Sequence, residues 1–224
     1  MFDNISTKSV TFNLIALNVI AFIATLMIGD KMYELFSIFY PASEFFKPMQ
    51  IITHLFMHGS FMHLFSNMFA LFMFGVVLER VWGPQRFLLF YFTTGVGAMI
   101  LHTAVQAWII HNFTGSFTPG AELLDQFPEV MRMYRTPTVG ASGAIFGILI
   151  AFGMLFPNTE LMMLFIPVPI KAKYFVTLYI VWELYRGISM SAGDNVAHFA
   201  HLGGALFGFL LVKYWNRNNR ETFY

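Results

Sequence analysis

The 224-residue chain contains no cysteine. That removes disulfides, thiolate metal sites and cysteine nucleophiles together, so any covalent catalysis has to use oxygen or nitrogen. Charge is scarce as well: Asp, Glu, Lys and Arg make up 11% of the residues, against about 25% in soluble domains. The net charge is +1, and the basic residues are scattered, with no stripe that would follow a nucleic-acid backbone. Nucleic acid is therefore not an expected partner. The sequence shows no internal repeat, no low-complexity tract and no soluble module large enough to bury its own core.

Hydrocarbon takes the place of charge. Hydrophobic residues make up 57% of the chain and aromatic ones 18%, which predicts an all-α protein embedded in a lipid bilayer. Crossing about 30 Å of hydrocarbon takes about 20 apolar residues. That length criterion predicts six spans, at 9–29, 60–78, 87–110, 140–157, 172–190 and 196–213, in one membrane domain over 1–224. The first apolar run is too long for a signal-peptide core and has no small-x-small cleavage site, so it reads as a retained anchor. With both termini on one side, Lys8, Arg80, Arg86, Lys171, Lys173, Lys213, Arg217 and Arg220 face that side, against Lys31, Lys47, Arg132, Arg135 and Arg186 on the other. The bias predicts cytoplasmic termini. The short N-terminus without a transit peptide leads us to expect a bacterial cytoplasmic membrane.

The same topology places the long connections 30–59 and 111–138 outside. The second holds Pro119-Gly120 and then an acidic amphipathic piece suited to lying along the membrane surface. LMMLFIPVPIKAK is broken by two prolines and reads as an interfacial hairpin, not a seventh span.

Polar groups within spans are expensive and mark function. Three places carry them. ITHLFMHGSFMHLFSNMFALFMFG holds His54, His58, His63 and Asn67. TVGASGAIFG holds Ser142, and NVAHFAHLGGALFGF holds His198 and His201. His63 and Asn67 are four apart and share a helix face. Gly143 and Gly147 on the fourth span, and Gly204 and Gly208 on the sixth, form GxxxG pairs that let backbones approach closely. A hydroxyl and an imidazole thus sit on two helices able to pack together. A serine becomes a nucleophile when imidazole takes its proton, and His63 and Asn67 are candidate donors to a developing oxyanion. An orienting acid is not evident. Glu79 and Glu183 fall towards span ends, and Asp194 lies about 10 Å from His201 by helical rise. The residues therefore predict a Ser–His dyad.

Taken together, His-x-x-x-Asn on the second span, Gly140-Ala141-Ser142-Gly143 opening the fourth and Ala-His-x-Gly-Gly-x-x-x-Gly on the sixth resemble the rhomboid intramembrane serine proteases, over residues from about 40 to 212. The resemblance implies a six-helix bundle with Ser142 as nucleophile and His201 as general base. It also implies an oxyanion hole of His63, Asn67 and the Ser142 N–H, in a water-filled pocket open to the outer face. The implied substrates are transmembrane proteins, cleaved near helix-breaking residues, without a cofactor.

His198, one turn from His201, is the alternative base; the match to x-Gly-Gly selects His201. His54 and His58 read as loop and helix-start hydrogen bonding, and His102 and His111 as interfacial or satisfied by neighbours. Two departures from the family pattern stand out. Met49-Gln50 replaces a common Trp-Arg, so a brace in the first outer loop is expected to differ. Phe146 replaces an aromatic hydroxyl, so a stack on the base can persist without its hydrogen bond. Two other functions compete: an inactive membrane adaptor, and a metal site or transporter built from His54, His58, His63, His198 and His201. The second lacks HExxH and a deep carboxylate partner, so no metal is expected.

Overall fold

The computed structural model describes residues 9–163, 166–189 and 195–217. Lys8, Asp194 and Arg220 lie outside the described residues. Helices dominate. α1 (Val10–Ile28) is apolar around its whole circumference and leaves Ile20, Leu26 and Met27 exposed, as a lipid-facing helix does. Its first turn is capped from a distance: the N–H groups of Val10 and Thr11 and the hydroxyls of Ser9 and Thr11 all donate to the Glu79 carboxylate, at 2.6–2.9 Å. One anion thus meets the orphan donors of the helix end and ties α1 to the second long helix.

That second helix runs as α4 (Phe61–Ala70), a π-turn (Leu71–Gly75) and α5 (Val76–Trp82). It ends at Gly83, whose φ of 79° suits glycine alone, and Pro84 opens α6 (Pro84–Thr114) at its first position. α6 therefore starts before the expected 87 and runs beyond 110, for 31 residues. α1, the α4–α5 unit and α6 are each long and apolar enough to cross a membrane.

The connection from 30 to 59 carries α2 (Asp30–Phe36), α3 (Gln50–Thr53) and a 3₁₀ turn (His54–Phe56). Gln50 is fully buried and supplies the brace there. Its Oε1 accepts from the Lys47 N–H at 3.0 Å, and its Nε2 donates to the carbonyls of Glu34 at 3.0 Å and Phe45 at 3.1 Å. The connection from 111 to 138 contains α7 (Ala121–Leu124) and α8 (Pro128–Arg135). It is anchored rather than loose: Leu124, Val130 and Tyr134 pack with Tyr40 and Ile110. A two-way bridge between Ile38 and Thr138 joins the two connections.

α9 (Ser142–Leu155) is the centre of the bundle, with eleven of its 14 residues buried. β1 (Glu160–Met163) and β2 (Ile166–Lys171) form an antiparallel hairpin from the Pro-containing stretch. α10 (Ala172–Ile188) and α11 (Asn195–Trp215) complete the fold. Glycines set the packing. A Cβ on Gly208 would lie 2.8 Å from the Gly147 Cα, and one on Gly204 would collide with the Gly143 carbonyl, so α11 presses on the α9 backbone. Gly147 in turn receives Thr94 of α6, where a Cβ would stand 2.6 Å from the threonine Cβ. Close approach of this kind supplies the dispersion contacts that hold helices together where lipid removes the hydrophobic drive.

Candidate active site

The glycine contacts fix where the polar residues of α9 and α11 meet. Ser142 begins α9, two residues after Gly140, whose φ of 122° excludes ordinary side chains. The His54 carbonyl accepts the Gly140 N–H at 3.0 Å, which fastens this turn to the first connection. Three residues before Gly204 on α11, His201 faces α9, and its Nε2 lies 2.9 Å from the Ser142 Oγ. The Phe146 ring is stacked on the imidazole with centroids 4.3 Å apart and planes 7° from parallel. The aromatic stack therefore persists without a hydroxyl.

His63 and Asn67 share one face of α4, and His63 brings that face to the turn that carries Ser142. The His63 ring lies over Gly140, with Cε1 and Nε2 both 2.9 Å from where a Cβ would be. Asn67 is buried, and its Nδ2 donates to His58 Nε2 at 2.9 Å. His58 is held in turn by Phe56 and stands edge-on to the His63 ring. His54 Nδ1 bonds the Gln50 carbonyl at 2.8 Å. Burial lowers both His54 and His58 to about 4, with His63 adding a smaller push on His58; both rings are neutral at pH 7. His102 meets the Thr138 hydroxyl at 2.9 Å, and His111 stacks on Phe117.

Ser142 is partly exposed, and a small cavity lies against it, lined by Ile38, His54, Leu55, His102 and Thr138.

The expected lack of an acid needs correction. Glu183 is 4% exposed on α10, and its Oε2 lies 2.9 Å from His201 Nδ1 and 2.6 Å from His198 Nδ1. His198 thus turns to the carboxylate, while His201 bridges carboxylate and hydroxyl. A readable signal existed. Ala172, Val176, Glu183 and Gly187 are the buried residues of α10 and recur at spacings of four, seven and four, one stripe of a helix. Bulky Tyr174, Leu178, Val181, Trp182 and Tyr185 are exposed on the other faces. A glutamate in line with small residues faces the bundle, wherever the span ends.

Glu183, His198 and His201 bring ligand atoms within 4.8 Å of one another, so this trio has the donors of a metal site. The contacts of 2.6 and 2.9 Å are hydrogen-bond lengths; ligands about a tetrahedral zinc stand roughly 3.3 Å apart, given bonds near 2 Å. His54 and His58 are engaged elsewhere, and the five histidines do not form one cluster.

Residues 45–217 match the model of the Rhomboid domain. Similar proteins include "Rhomboid protein 1, mitochondrial" of Saccharomyces cerevisiae, 29% identical over 74% of this chain and 41% of that protein. "RHOMBOID-like protein 12, mitochondrial" of Arabidopsis thaliana is 31% identical over 69% of this chain and 43% of its own length. "Rhomboid-like protease 3" of Toxoplasma gondii is 27% identical over 79% and 55%. The chain spans about half the length of these relatives, or less.

Proposed function

The chain belongs to the rhomboid family, and from that premise we propose that it is an intramembrane serine endopeptidase. The observation that carries the reading is the 2.9 Å contact between His201 Nε2 and Ser142 Oγ. His201 takes the hydroxyl proton as Ser142 Oγ attacks the scissile carbonyl carbon. The oxyanion that forms is met by the Ser142 N–H, an orphan donor at the start of α9, with His63 and Asn67 beside it. The C–N bond then breaks, the leaving amine takes the proton from His201, and water repeats the sequence on the acyl-enzyme.

Depth supports water access. Fourteen residues of α9 span about 21 Å at 1.5 Å each, less than the roughly 30 Å of hydrocarbon. Non-helical backbone next to α9 must then lie at membrane depth, where it belongs beside protein or a water-filled cavity. In this reading six spans cross the bilayer, the termini are cytoplasmic, the site opens to the outer face, and substrates are transmembrane proteins. Two of the similar proteins carry mitochondrial names, so a bacterial membrane is not proposed.

Reconstitution with an unstable transmembrane substrate tests the proposal. Cleavage by the wild type that is lost in Ser142→Ala is the expected result. A folded wild type that binds such substrates without cutting any of them would favour an adaptor.

A further inference from the structure

A Ser–His mechanism leaves one buried carboxylate unused. An ionised carboxyl group taken out of water is costly unless hydrogen bonds or opposite charge meet it. Glu183 is met by two imidazole N–H groups on the same oxygen, from His198 at 2.6 Å and His201 at 2.9 Å. The second of these rings is the one that also reaches Ser142, at 2.9 Å through its other nitrogen.

Tautomer chemistry gives that chain a direction. In neutral imidazole one nitrogen carries the proton and the other the lone pair. A carboxylate can only accept, so it holds the proton on Nδ1 and leaves the Nε2 lone pair facing Ser142. The opposite tautomer sets a lone pair against Oε2 and an N–H against the hydroxyl, which disables the base. Phe146 restrains the plane of the ring but touches the same face in both tautomers, so it cannot choose between them. The Glu183 carboxylate can. It also stabilises the imidazolium that appears when His201 takes the serine proton, as the acid does in serine-protease triads.

We propose that Glu183 is a positioning residue for His201, making an extended Ser142–His201–Glu183 array in place of a simple dyad, with His198 as the second donor that fixes the carboxylate. The proposal rests on Ser142 and His201 being the reactive pair.

The test is the rate at which a fluorophosphonate labels the full-length protein in detergent, with peptide-bond cleavage measured alongside. Glu183→Gln and Glu183→Met should label at least about 100-fold more slowly than wild type while each still unfolds in a single cooperative thermal transition. Glu183→Asp, which keeps the charge, should recover part of the rate. In cleavage, kcat should fall and KM stay within about threefold, because Glu183 does not touch substrate. In a His201→Ala background Glu183→Gln should cost nothing further. A folded Glu183→Gln or Glu183→Met that labels at the wild-type rate, while His201→Ala does not label, overturns this proposal alone. A wild type that does not label, or labelling that survives His201→Ala, overturns the reactive pair and this inference with it.

Discussion

Gly204 of α11 sits with its Cα face directly on the carbonyl of Gly143 in α9, one residue beyond Ser142. No side chain fits between them. The helix pair that carries hydroxyl and imidazole is therefore aligned by backbone contact, and the reacting atoms inherit their spacing from it. Gly204→Ala should push the helices apart, cost about 1–3 kcal/mol or more by overpacking, and reduce cleavage steeply. Thermal unfolding in detergent and the labelling rate of Ser142 measure the two effects.

Phe146 provides a milder test. Its face-to-face stack on His201 is worth about 0.5–1.5 kcal/mol beyond simple burial. Phe146→Ala should slow cleavage roughly three- to tenfold, since the ring gains freedom, and Phe146→Tyr should be close to neutral. A Phe146→Ala enzyme with unchanged kcat would show that the stack does not orient the base.

Away from the reacting groups, Gln50 holds the first connection through one accepted and at least two donated hydrogen bonds. Gln50→Ala leaves part-buried backbone groups without these partners, at up to about 1–3 kcal/mol in total, and should lower the thermal midpoint by several degrees. Met49 is 47% exposed, and Met49→Ala should change little.

Acid should destabilise the fold through His54 and His58. Unfolded imidazoles titrate near 6.5, and burial holds these two near 4 in the folded chain. Between those values the unfolded state binds more protons, so stability rises with pH. Their contribution is complete above about 6.5 and is lost as pH falls towards about 4. Thermal midpoints measured across this window should fall on acidification, and His54→Gln, where it folds, should flatten the fall.

What was legible in the sequence follows from what linear spacing encodes. Residues three, four or seven apart on a helix share a face, so Gly143 with Gly147, and His201 with Gly204 and Gly208, could be read as packing stripes. Glu183 escapes such a reading when judged by its distance from a span end, which says nothing of which neighbour α10 faces; its line with Ala172, Val176 and Gly187 does. The caps were hidden for another reason. Glu79 serves a helix start nearly 70 residues away, and Gln50 ties its own turn, at Phe45 and Lys47, back to the carbonyl of Glu34. No periodicity within one segment reports such partners.

The most direct measurement of the central claim is fluorophosphonate modification of the purified protein, with the site located by peptide mass. We predict a single adduct on Ser142, abolished in His201→Ala and indifferent to a metal chelator. An unmodified Ser142 in folded protein, or an adduct that forms equally well without His201, would contradict it.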